Sequence, residues 1–265
     1  MILLIDIGGT YTKISRCIDL KKIDEFNIYP TKYSYKEFMK FIRNFKDRKI
    51  KLACIGIAGF LNRNKNKIIY SPSLKDYVNK NLKKDLEKEL KTKVILENDA
   101  YLGALGEAYF GRGKNFYSFG YITLGTGIGG AKIINKKVDN NDIGFEPGHS
   151  IILIENFKKF MEVENLIGAK NIELKYGVPL FRLKNKNFWN FYYQVLAAFL
   201  INASIFWSVE KIIMSGSISK IIDYKKLIEI CKNKHPLPLN LKIYPSKLKE
   251  KSVIYGALIK CQNYT

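Results

Sequence analysis

Residues 123–130 read Thr-Leu-Gly-Thr-Gly-Ile-Gly-Gly and lie between two runs of β-forming residues, 117–124 and 131–134. Glycine is needed where the backbone takes a positive φ or where a ligand comes closer than a Cβ atom permits. A tight turn of this composition can direct backbone N–H groups at an anion, usually a phosphate. For this stretch alone, a plain glycine-rich hairpin is the alternative, and the choice depends on the rest of the chain.

Two further segments favour a site that handles phosphate. Residues 2–10 predict an apolar strand that delivers Asp6 to its end and then turns through Gly-Gly-Thr. Residues 94–100, Val-Ile-Leu-Glu-Asn-Asp-Ala, predict a short strand that presents Asn98 and Asp99 just before a helix. Phosphoryl transfer needs phosphate cradles, a carboxylate near Mg²⁺ and a carboxylate that takes a hydroxyl proton. The glycine turns and the two carboxylates suit that chemistry.

Six motifs occur in order along the chain. They are Asp6-Ile-Gly-Gly-Thr10, Asn98-Asp-Ala100, Gly125-Thr-Gly-Ile-Gly-Gly130, Glu146-Pro-Gly-His149, Ile212-Ile-Met-Ser-Gly-Ser217 and Ser252-Val-Ile-Tyr-Gly-Ala257. In this order and rough spacing they resemble the ROK family of sugar kinases, which is part of the actin-like ATPase superfamily. The ordered set covers nearly the whole chain, and this makes the resemblance specific.

The resemblance implies an α/β fold, the two-lobed actin-like ATPase (ribonuclease H-like) fold with an interlobe cleft. It implies a smaller N-terminal lobe at residues 1–110 and a larger C-terminal lobe at residues 111–251. The last helix, about 252–265, is expected to pack back onto the first lobe. A hinge between the lobes would then close over the substrates and exclude water, which suits a kinase.

Hydrophobic periodicity predicts the individual elements. In the first lobe we expect strands at 2–7, 12–18, 25–29, 52–57 and 94–96, helices at 35–45, 77–90 and 99–109, and a basic turn at 60–73. In the rest of the chain we expect strands at 117–124, 131–135, 211–214 and 241–244 and helices at 188–207, 218–232 and 252–262. The βββαβα order of the first lobe is typical of half of an actin-like fold.

Asp99 is the candidate general base. It would accept the proton from the attacking hydroxyl of the sugar as the γ-phosphoryl group moves in line. The alternative is a helix N-cap, because Asp at a strand–helix junction serves well in that position. The surrounding motifs favour catalysis. Asn98 offers both a donor and an acceptor, which suits adjacent sugar hydroxyls.

The ATP side of the predicted site combines a metal-binding carboxylate with backbone-lined turns. Asp6 is expected to hold Mg²⁺ through water, because Mg²⁺ keeps several waters and takes few protein carboxylates. The residues expected to face the ATP phosphates are Gly8, Gly9, Thr10, Thr126 and Gly127. Lys13 belongs to this side too, at a position often basic or polar in the family, and its role stays open. Gly216 would open a helix in the family's adenosine-side loop, with an ordinary β–α turn as the alternative.

The sugar side of the predicted site rests on a Gly/Pro-rich loop. Glu146 and His149 lie three residues apart there and fall on the family's Glu-x-Gly-His pattern. Gly59, Asn98 and Asp99 complete the set expected to contact the sugar.

One departure from the family concerns zinc. In most ROK proteins this histidine also ligates a zinc held by a Cys-rich loop, and the loop ends in another sugar-binding Glu. This chain has no Cys between His149 and Cys231, so no zinc site is expected. Residues 164–172, Glu-Asn-Leu-Ile-Gly-Ala-Lys-Asn-Ile, resemble the segment after that loop, which assigns the role to Glu164 with Glu162 as the competitor. Helix packing from Phe157 to Ile167 is expected to replace the metal as a brace.

Composition bounds the class of protein. With 265 residues and 47% hydrophobic content, the chain can bury a real core and form two lobes. A count of 45 Lys and Arg against 24 Asp and Glu gives a net charge of +21, a balance that also occurs in nucleic-acid-binding proteins. Only six of the 45 are Arg and most lysines are scattered, so we expect no specific nucleic-acid partner. A general attraction for phosphorylated anions is the milder consequence.

Cysteine usage and hydropathy predict a cytoplasmic protein. The cysteines are far apart and lack metal-site spacing: Cys17, Cys54, Cys231 and Cys261. Most of them lie in apolar segments, where a free thiol behaves as a small buried hydrophobe. Asp6 interrupts the apolar start of the chain, so no signal peptide is expected. The most apolar stretch, 195–209, is too short to span a bilayer, and no membrane partner is expected.

The sequence therefore predicts an ATP-dependent hexose kinase, with the 6-hydroxyl of glucose as the first choice. Mannose, fructose or an N-acetylated hexosamine are the alternative substrates. The expected cofactors are ATP and Mg²⁺ without zinc, the expected partners are the sugar and ATP, and a homodimer is left open. A sugar sensor without catalysis could dispense with Asp6 and Asp99. A repressor of the family would need a helix-turn-helix before Asp6, and both alternatives are disfavoured.

Overall fold

The computed structural model describes residues 1–19, 21–139, 141, 144–154 and 159–264, and the chain divides into two compact units. Unit 1 comprises Met1–Phe110, Asn140–Gly144 and Lys251–Thr265. Unit 2 comprises Gly111–Asp139 and Phe145–Glu250. Among the described residues, no helix is both long enough and apolar enough to cross a bilayer.

Unit 1 is built on a five-stranded sheet. The strands of unit 1 are β1 (Ile2–Ile7), β2 (Tyr11–Cys17), β3 (Glu25–Pro30), β4 (Leu52–Ile57), the short β5 (Phe60–Leu61) and β6 (Ile68–Tyr70), and β7 (Lys93–Asn98). The sheet order is β3-β2-β1-β4-β7, with β5 and β6 forming a separate hairpin. β1 pairs antiparallel with β2 and parallel with β4, and β4 pairs parallel with β7. β1 and β4 are buried along their whole length, as is typical of parallel strands covered on both faces.

The parallel pairing brings the predicted site residues of this unit to one edge. Ile7 lies opposite Ile57, and Ile57 lies opposite Asn98. The carboxyl ends of β1, β4 and β7 are therefore level. The segments that leave the strands there carry Gly8, Gly59 and Asp99.

Three helices lie between or after the early strands of unit 1. They are α1 (Tyr35–Arg43), α2 (Leu82–Leu90) and α3 (Asp99–Tyr109). The helix expected over 77–90 is shorter than predicted and begins at Leu82. Asn79 has a left-handed backbone, with φ of 63°, which an α-helix does not accommodate. The basic turn expected at 60–73 contains the β5–β6 hairpin, which hydrophobic periodicity did not predict.

Unit 2 repeats the sheet topology of unit 1. Its strands are β8 (Ser118–Leu124), β9 (Ile128–Ile134), β10 (Lys137–Val138), β11 (Ile151–Ile154), β12 (Lys159–Glu162), β13 (Lys211–Ser215) and β14 (Lys242–Pro245). The main sheet has the order β10-β9-β8-β13-β14. β8 is antiparallel to β9 and parallel to β13, and β13 is parallel to β14. Three antiparallel strands followed by two parallel ones thus occur twice in the chain.

Unit 2 contains α6, the longest helix among the described residues, and three shorter helices. They are α4 (Val163–Ile167), α5 (Ala169–Tyr176), α6 (Lys186–Trp207) and α7 (Tyr224–Lys234). The helix expected at 218–232 is wrong at its start: a 3₁₀ turn occupies Ile218–Lys220. α7 begins only after Asp223, whose Oδ1 accepts the Lys226 N–H at 3.1 Å as an N-cap. The helical brace expected from Phe157 to Ile167 is also wrong in part, because Lys159–Glu162 form β12. Phe157 itself lies outside the described residues.

The last helix, α8 (Ser252–Gln262), packs against α3 within unit 1. Two glycines make the close approach of the helices feasible. A Cβ on Gly106 would overlap the Ser252 carbonyl oxygen, and a Cβ on Gly256 would overlap the Leu102 carbonyl oxygen. The apolar face of α8 joins a buried cluster with β1 and β4, including Leu4, Cys54 and Leu258. The four cysteines, Cys17, Cys54, Cys231 and Cys261, are free thiols and buried.

The close approach of α3 and α8 predicts a large cost for a single methyl group. Gly256→Ala should lower the free energy of unfolding by about 3 kcal/mol, because the new Cβ would have to displace a helix backbone. Urea denaturation followed by circular dichroism measures the change. Lys225→Ala, at an exposed position of α7, is the control and should stay within about 0.5 kcal/mol of the parent. A Gly256→Ala midpoint equal to that of the parent would show that the two helices lie farther apart.

Candidate active site

Asp6 lies at the carboxyl end of β1 and is 2% exposed. The β1–β2 register places Lys13 opposite Asp6, and Lys13 Nζ donates to Asp6 Oδ2 at 2.6 Å. A buried carboxylate requires such a partner, because an isolated charge in the interior is strongly unfavourable. The arrangement leaves a carboxylate and an ammonium together at the end of a central strand.

Asp99 is the first residue of α3 and only partly buried. Burial raises the pKa of the Asp99 carboxyl to about 6, and the nearby Asp6 charge adds to the increase. The Ala100 N–H, which donates to Asp99 Oδ1 at 2.8 Å, and the Lys13 ammonium act in the opposite direction. A carboxyl group with a pKa near 6 is a carboxylate at neutral pH and is basic enough to accept a proton from a substrate.

The N-cap of α3 is Asn98, and this bears on the alternative role considered for Asp99. Asn98 Oδ1 accepts the Tyr101 N–H at 3.0 Å. Asn98 Nδ2 donates to the Gly59 carbonyl oxygen at 3.2 Å. The structure thus brings Gly59, Asn98 and Asp99 together. Gly59 has φ of +149°, and a Cβ there would lie 2.9 Å from the Tyr70 carbonyl oxygen, so the position favours glycine.

The first glycine turn joins β1 to β2. The Gly8 N–H donates to the Tyr11 carbonyl oxygen at 3.1 Å. Thr31 Oγ1 donates to the Gly8 carbonyl oxygen at 2.8 Å. Gly9 and Thr10 complete the turn, and Thr10 is exposed. The turn is therefore tied at its base and keeps its tip at the surface of the unit.

The second glycine turn joins β8 to β9 in unit 2. The Gly125 N–H donates to the Gly127 carbonyl oxygen at 2.9 Å. Glu164 lies directly against this turn, because its Oε2 accepts the Ile128 N–H at 2.6 Å. A Cβ on Gly127 would be 2.5 Å from the same oxygen. The carbonyl oxygens of Gly125 and Thr126 accept N–H groups from the first turn of α5 at 3.0 and 3.2 Å.

The Glu-x-Gly-His loop forms a 3₁₀ turn over Pro147–His149. Gly148 allows this turn to pack closely against β9, since a Cβ there would overlap the Ile128 carbonyl oxygen. His149 Nδ1 lies 3.0 Å from Glu162 Oε2, at the end of β12. The two glutamates weighed for one role thus have different partners: Glu162 pairs with His149, and Glu164 pairs with the glycine turn. Glu146 is partly exposed at the start of the 3₁₀ turn.

Gly216 directly follows β13 and has φ of +89°. A Cβ at this position would overlap the backbone of Leu124, so the chain passes close to the strand before the second glycine turn. The expectation that Gly216 opens an α-helix is wrong. The residues after it form the short 3₁₀ turn, and α7 begins eight residues later at Tyr224.

In the part of the chain that the structure describes, no three or more His, Cys, Asp and Glu side chains are grouped so as to hold a metal ion. Asp6 is a single buried carboxylate, which fits a metal bound mainly through water.

One buried charge beside the site was missed by reasoning from the sequence. Glu97 directly precedes Asn98, is 1% exposed and forms ion pairs with Lys65 and Lys260. The available signal was a glutamate inside an otherwise apolar strand. A single acid at a strand end is usually exposed, so this signal is weak on its own.

Comparisons with known proteins agree with this architecture. The model of the ROK family matches residues 2–162. The protein CPE0188 of Clostridium perfringens is 34% identical over 187 residues, which are 66% of this chain and 62% of that protein. Glucokinase of Streptomyces coelicolor is 39% identical over 97 residues, which are 36% of this chain and 30% of that protein. The chain therefore spans less than two thirds of the length of these curated relatives.

A solved structure extends the likeness to the whole fold. It is a ROK family glucokinase from Streptomyces griseus in complex with glucose and AMPPNP, with a TM-score of 0.78 and 18% identity over 99% of both chains. At that identity the likeness concerns the fold alone. It confirms the α/β actin-like ATPase fold that the sequence predicted.

The raised pKa of Asp99 predicts a pH-dependent cost to stability. Because the folded-state pKa of about 6 exceeds the ordinary 3.8, the folded protein binds this proton more tightly than the unfolded chain does. Stability is therefore lost as pH rises through this interval, and the loss is complete above it. Asp99→Asn, which stays neutral, should raise the free energy of unfolding by about 1–3 kcal/mol at about pH 8 and by less than half of that at about pH 4.5.

Urea denaturation at the two pH values measures this difference. The matched control is Asp19→Asn, because Asp19 is exposed and accepts the Lys21 N–H, so its removal should give no gain at either pH. Equal gains for Asp99→Asn at both pH values would mean that the pKa of Asp99 is not raised.

Proposed function

The chain belongs to the ROK family, and from that premise we propose that it is an ATP-dependent sugar kinase with Asp99 as its general base. The observation that carries the proposal is the Asp99 carboxyl, partly buried beside Asp6 with its pKa raised to about 6. A base with a pKa slightly below the working pH is deprotonated and still binds a proton well. A purely structural N-cap would not need that property, and Asn98 already caps α3.

In the proposed reaction, Asp99 accepts the proton of a sugar hydroxyl while the oxygen of that hydroxyl forms a bond to the γ-phosphorus of ATP. The bond between that phosphorus and the β–γ bridging oxygen breaks, and ADP leaves with the electron pair. The protein forms no covalent bond to the transferred group in this reaction. Positioning of the substrates and stabilisation of charge therefore account for most of the rate enhancement. The products are a sugar phosphate, ADP and a proton that Asp99 releases to solvent.

Asp6 would hold Mg²⁺ through water, and the metal would supply positive charge to the phosphates when bound. The carboxylate is buried and directed by Lys13, so its position does not depend on the metal. We propose that Gly8, Gly9 and Thr10 face the phosphates, because their turn is tied at its base by Thr31 and leaves its tip exposed. Lys13 would add a cation on the same side.

For unit 2 we propose that Thr126 and Gly127 also face ATP and that Gly216 lies on the adenosine side. Glu164 supports the glycine turn through the Ile128 N–H. Gly216 has a positive φ, and its backbone passes so close to Leu124 that a side chain would not fit between them. Gly216 therefore favours glycine for a backbone reason, and Gly127 does so because the Glu164 carboxylate lies against it.

The sugar would be bound by Gly59, Asn98, Glu146, His149 and Glu164 in addition to Asp99. His149 is oriented by Glu162 through Nδ1, and an oriented imidazole ring presents its other nitrogen in a fixed direction. Glu162 is then a positioning residue, and Glu164 remains the proposed ligand. No zinc is part of this proposal.

We propose glucose, at the 6-hydroxyl, as the sugar. A relative that matches part of this chain is a glucokinase, and mannose, fructose and N-acetylated hexosamines are the competing substrates. The use of ATP favours a cytoplasmic location.

The proposal predicts that Asp99→Asn lowers kcat by about 10²–10⁴-fold, because a positioned base contributes that much. The sugar KM should change much less. A coupled ADP-release assay over glucose, mannose, fructose and N-acetylated hexosamines measures both, in preparations cleared of host kinases. Asp19→Asn is the matched control and should keep full turnover. Near-parental turnover of Asp99→Asn would refute the assignment of the base, and no turnover with any sugar in the parent would refute the kinase.

The different partners of the two glutamates give a second prediction. Glu164→Gln should raise the sugar KM by about tenfold, the effect of weakening one charge-assisted hydrogen bond, and should change the ATP KM less. Glu162→Gln should have a smaller effect, because it acts only through the orientation of His149. Steady-state kinetics with each substrate varied in turn measures the four constants. If the two variants exchange these effects, Glu162 is the ligand and the assignment of Glu164 is wrong.

A further inference from the structure

The carboxylate of Glu97 is buried in unit 1 beside the proposed base, at the end of β7. Its side chain is 2% exposed. Lys65 Nζ lies 2.7 Å from both carboxylate oxygens, and Lys260 Nζ lies 3.1 Å from Oε2. Oε1 also accepts the Asn98 N–H at 3.1 Å. One buried carboxylate thus receives two ammonium groups and one backbone N–H.

The two lysines come from different elements and meet around one aromatic ring. Lys65 lies in the turn of the β5–β6 hairpin, and Lys260 lies near the end of α8. Their ammonium groups are 4.9 and 4.7 Å from the ring centroid of Tyr101, within the range of a cation–π interaction. Tyr101 belongs to the first turn of α3, whose N-cap is Asn98.

One lysine is sufficient to neutralise Glu97, and the two are not equivalent. The Lys260 side chain is 29% exposed. Burial acts to lower the pKa of Lys260, but Glu97 and Tyr101 together outweigh it and the net direction is upward. The Lys65 side chain is 45% exposed, so it could be solvated elsewhere at little cost. The burial of Glu97 therefore depends on Lys260, whereas Lys65 adds a second, removable tie.

That second tie fixes a segment of the proposed sugar site. The Lys65 turn is closed by Asn62, whose Oδ1 accepts the Asn66 and Lys67 N–H groups at 3.0 Å. The backbone of Lys65 has a left-handed conformation, with φ of 47°, as part of this tight turn. Gly59 immediately precedes the hairpin, and its carbonyl oxygen accepts Asn98 Nδ2. The hairpin is thus held to the end of β7 at two points, Gly59–Asn98 and Lys65–Glu97.

We propose that Lys65 is a positioning residue for sugar binding, which holds the β5–β6 hairpin and its Gly59 against Asn98 through Glu97. The consequence for the sugar rests on the proposed function, whereas the tie between hairpin and strand does not. Lys65 touches no substrate in this proposal. Its removal should loosen the hairpin and weaken sugar binding without altering the base.

The test is Lys65→Met, with Lys67→Met as the matched control in the same hairpin. Lys260 keeps Glu97 paired in both variants, so both should fold. Lys65→Met should raise the KM of the sugar by about tenfold and leave kcat within about twofold, because the base and the phosphate side are unchanged. The ATP KM should not change. Lys65→Arg keeps the charge and should restore most of the sugar affinity, and Lys67→Met should match the parent.

A second readout does not require turnover. Hydrogen exchange of residues 59–70 and 98–101 should be faster in Lys65→Met than in the parent or in Lys67→Met. If the parent phosphorylates none of the sugars tested, the proposed function fails, and hydrogen exchange alone decides whether the tie exists. If the parent is active and Lys65→Met has a parental sugar KM, the positioning role is refuted, even where the melting temperature falls. Equal exchange in all variants refutes the tie itself.

Discussion

The parallel pairing of β1, β4 and β7 is the constraint on which the rest of unit 1 depends. Parallel strands end at the same edge, so one register brings Ile7, Ile57 and Asn98 level. The residues after these strands then become neighbours although they are far apart in sequence. A one-residue slip would move every side chain of a strand to the opposite face. The hydrogen bond from Asn98 Nδ2 to the Gly59 carbonyl oxygen joins the ends of β7 and β4 in that register, and the pairing of Asp6 with Lys13 joins β1 to β2.

Electrostatics at this edge are arranged in two opposite ways. Asp6 and Glu97 are deeply buried and each has a lysine within hydrogen-bond distance. Asp99 instead accepts a backbone N–H, and both burial and the Asp6 charge raise its pKa. Two lysine-paired carboxylates therefore lie near a third whose pKa is shifted upward. A carboxyl group whose pKa is raised by its surroundings is a frequent property of sites that transfer protons.

Much of the fold could be predicted from the sequence, because the central elements carry strong patterns. β1, β4, α3 and α8 have continuous apolar runs or helical periodicity, and their predicted bounds agree with the structure. The failures are local. The β5–β6 hairpin has strands of two and three residues, which are too short to show a period. The start of α2 depends on the left-handed Asn79, and the start of α7 depends on the cap by Asp223, neither of which a hydrophobic pattern contains.

The candidate site could be proposed from the sequence where it follows a short motif, and not where it depends on tertiary partners. Asp6, Asn98 and Asp99 are candidates because glycine turns or a strand–helix junction adjoin them. The pairing of Glu162 with His149 needs the antiparallel pairing of β11 with β12, which the sequence did not predict. The ion pairs of Glu97 join a turn, a strand end and the last helix, and no local spacing indicates such a meeting. Sequence patterns identify residues within one element, whereas the ion pairs of Glu97 join residues from three elements.

The close contact of α3 with α8 has a consequence for the order in which the chain acquires its structure on the ribosome. Unit 1 is assembled from both ends of the chain, and the cluster that covers β1 and β4 includes Ile254, Ala257 and Leu258. Until α8 has been synthesised, that face of the first sheet lacks much of its apolar cover. Unit 2 comes almost entirely from the intervening residues and has its own core. The usual N-terminal-first order of domain folding during synthesis therefore cannot apply to this face of unit 1, because its cover is synthesised after all the residues of unit 2.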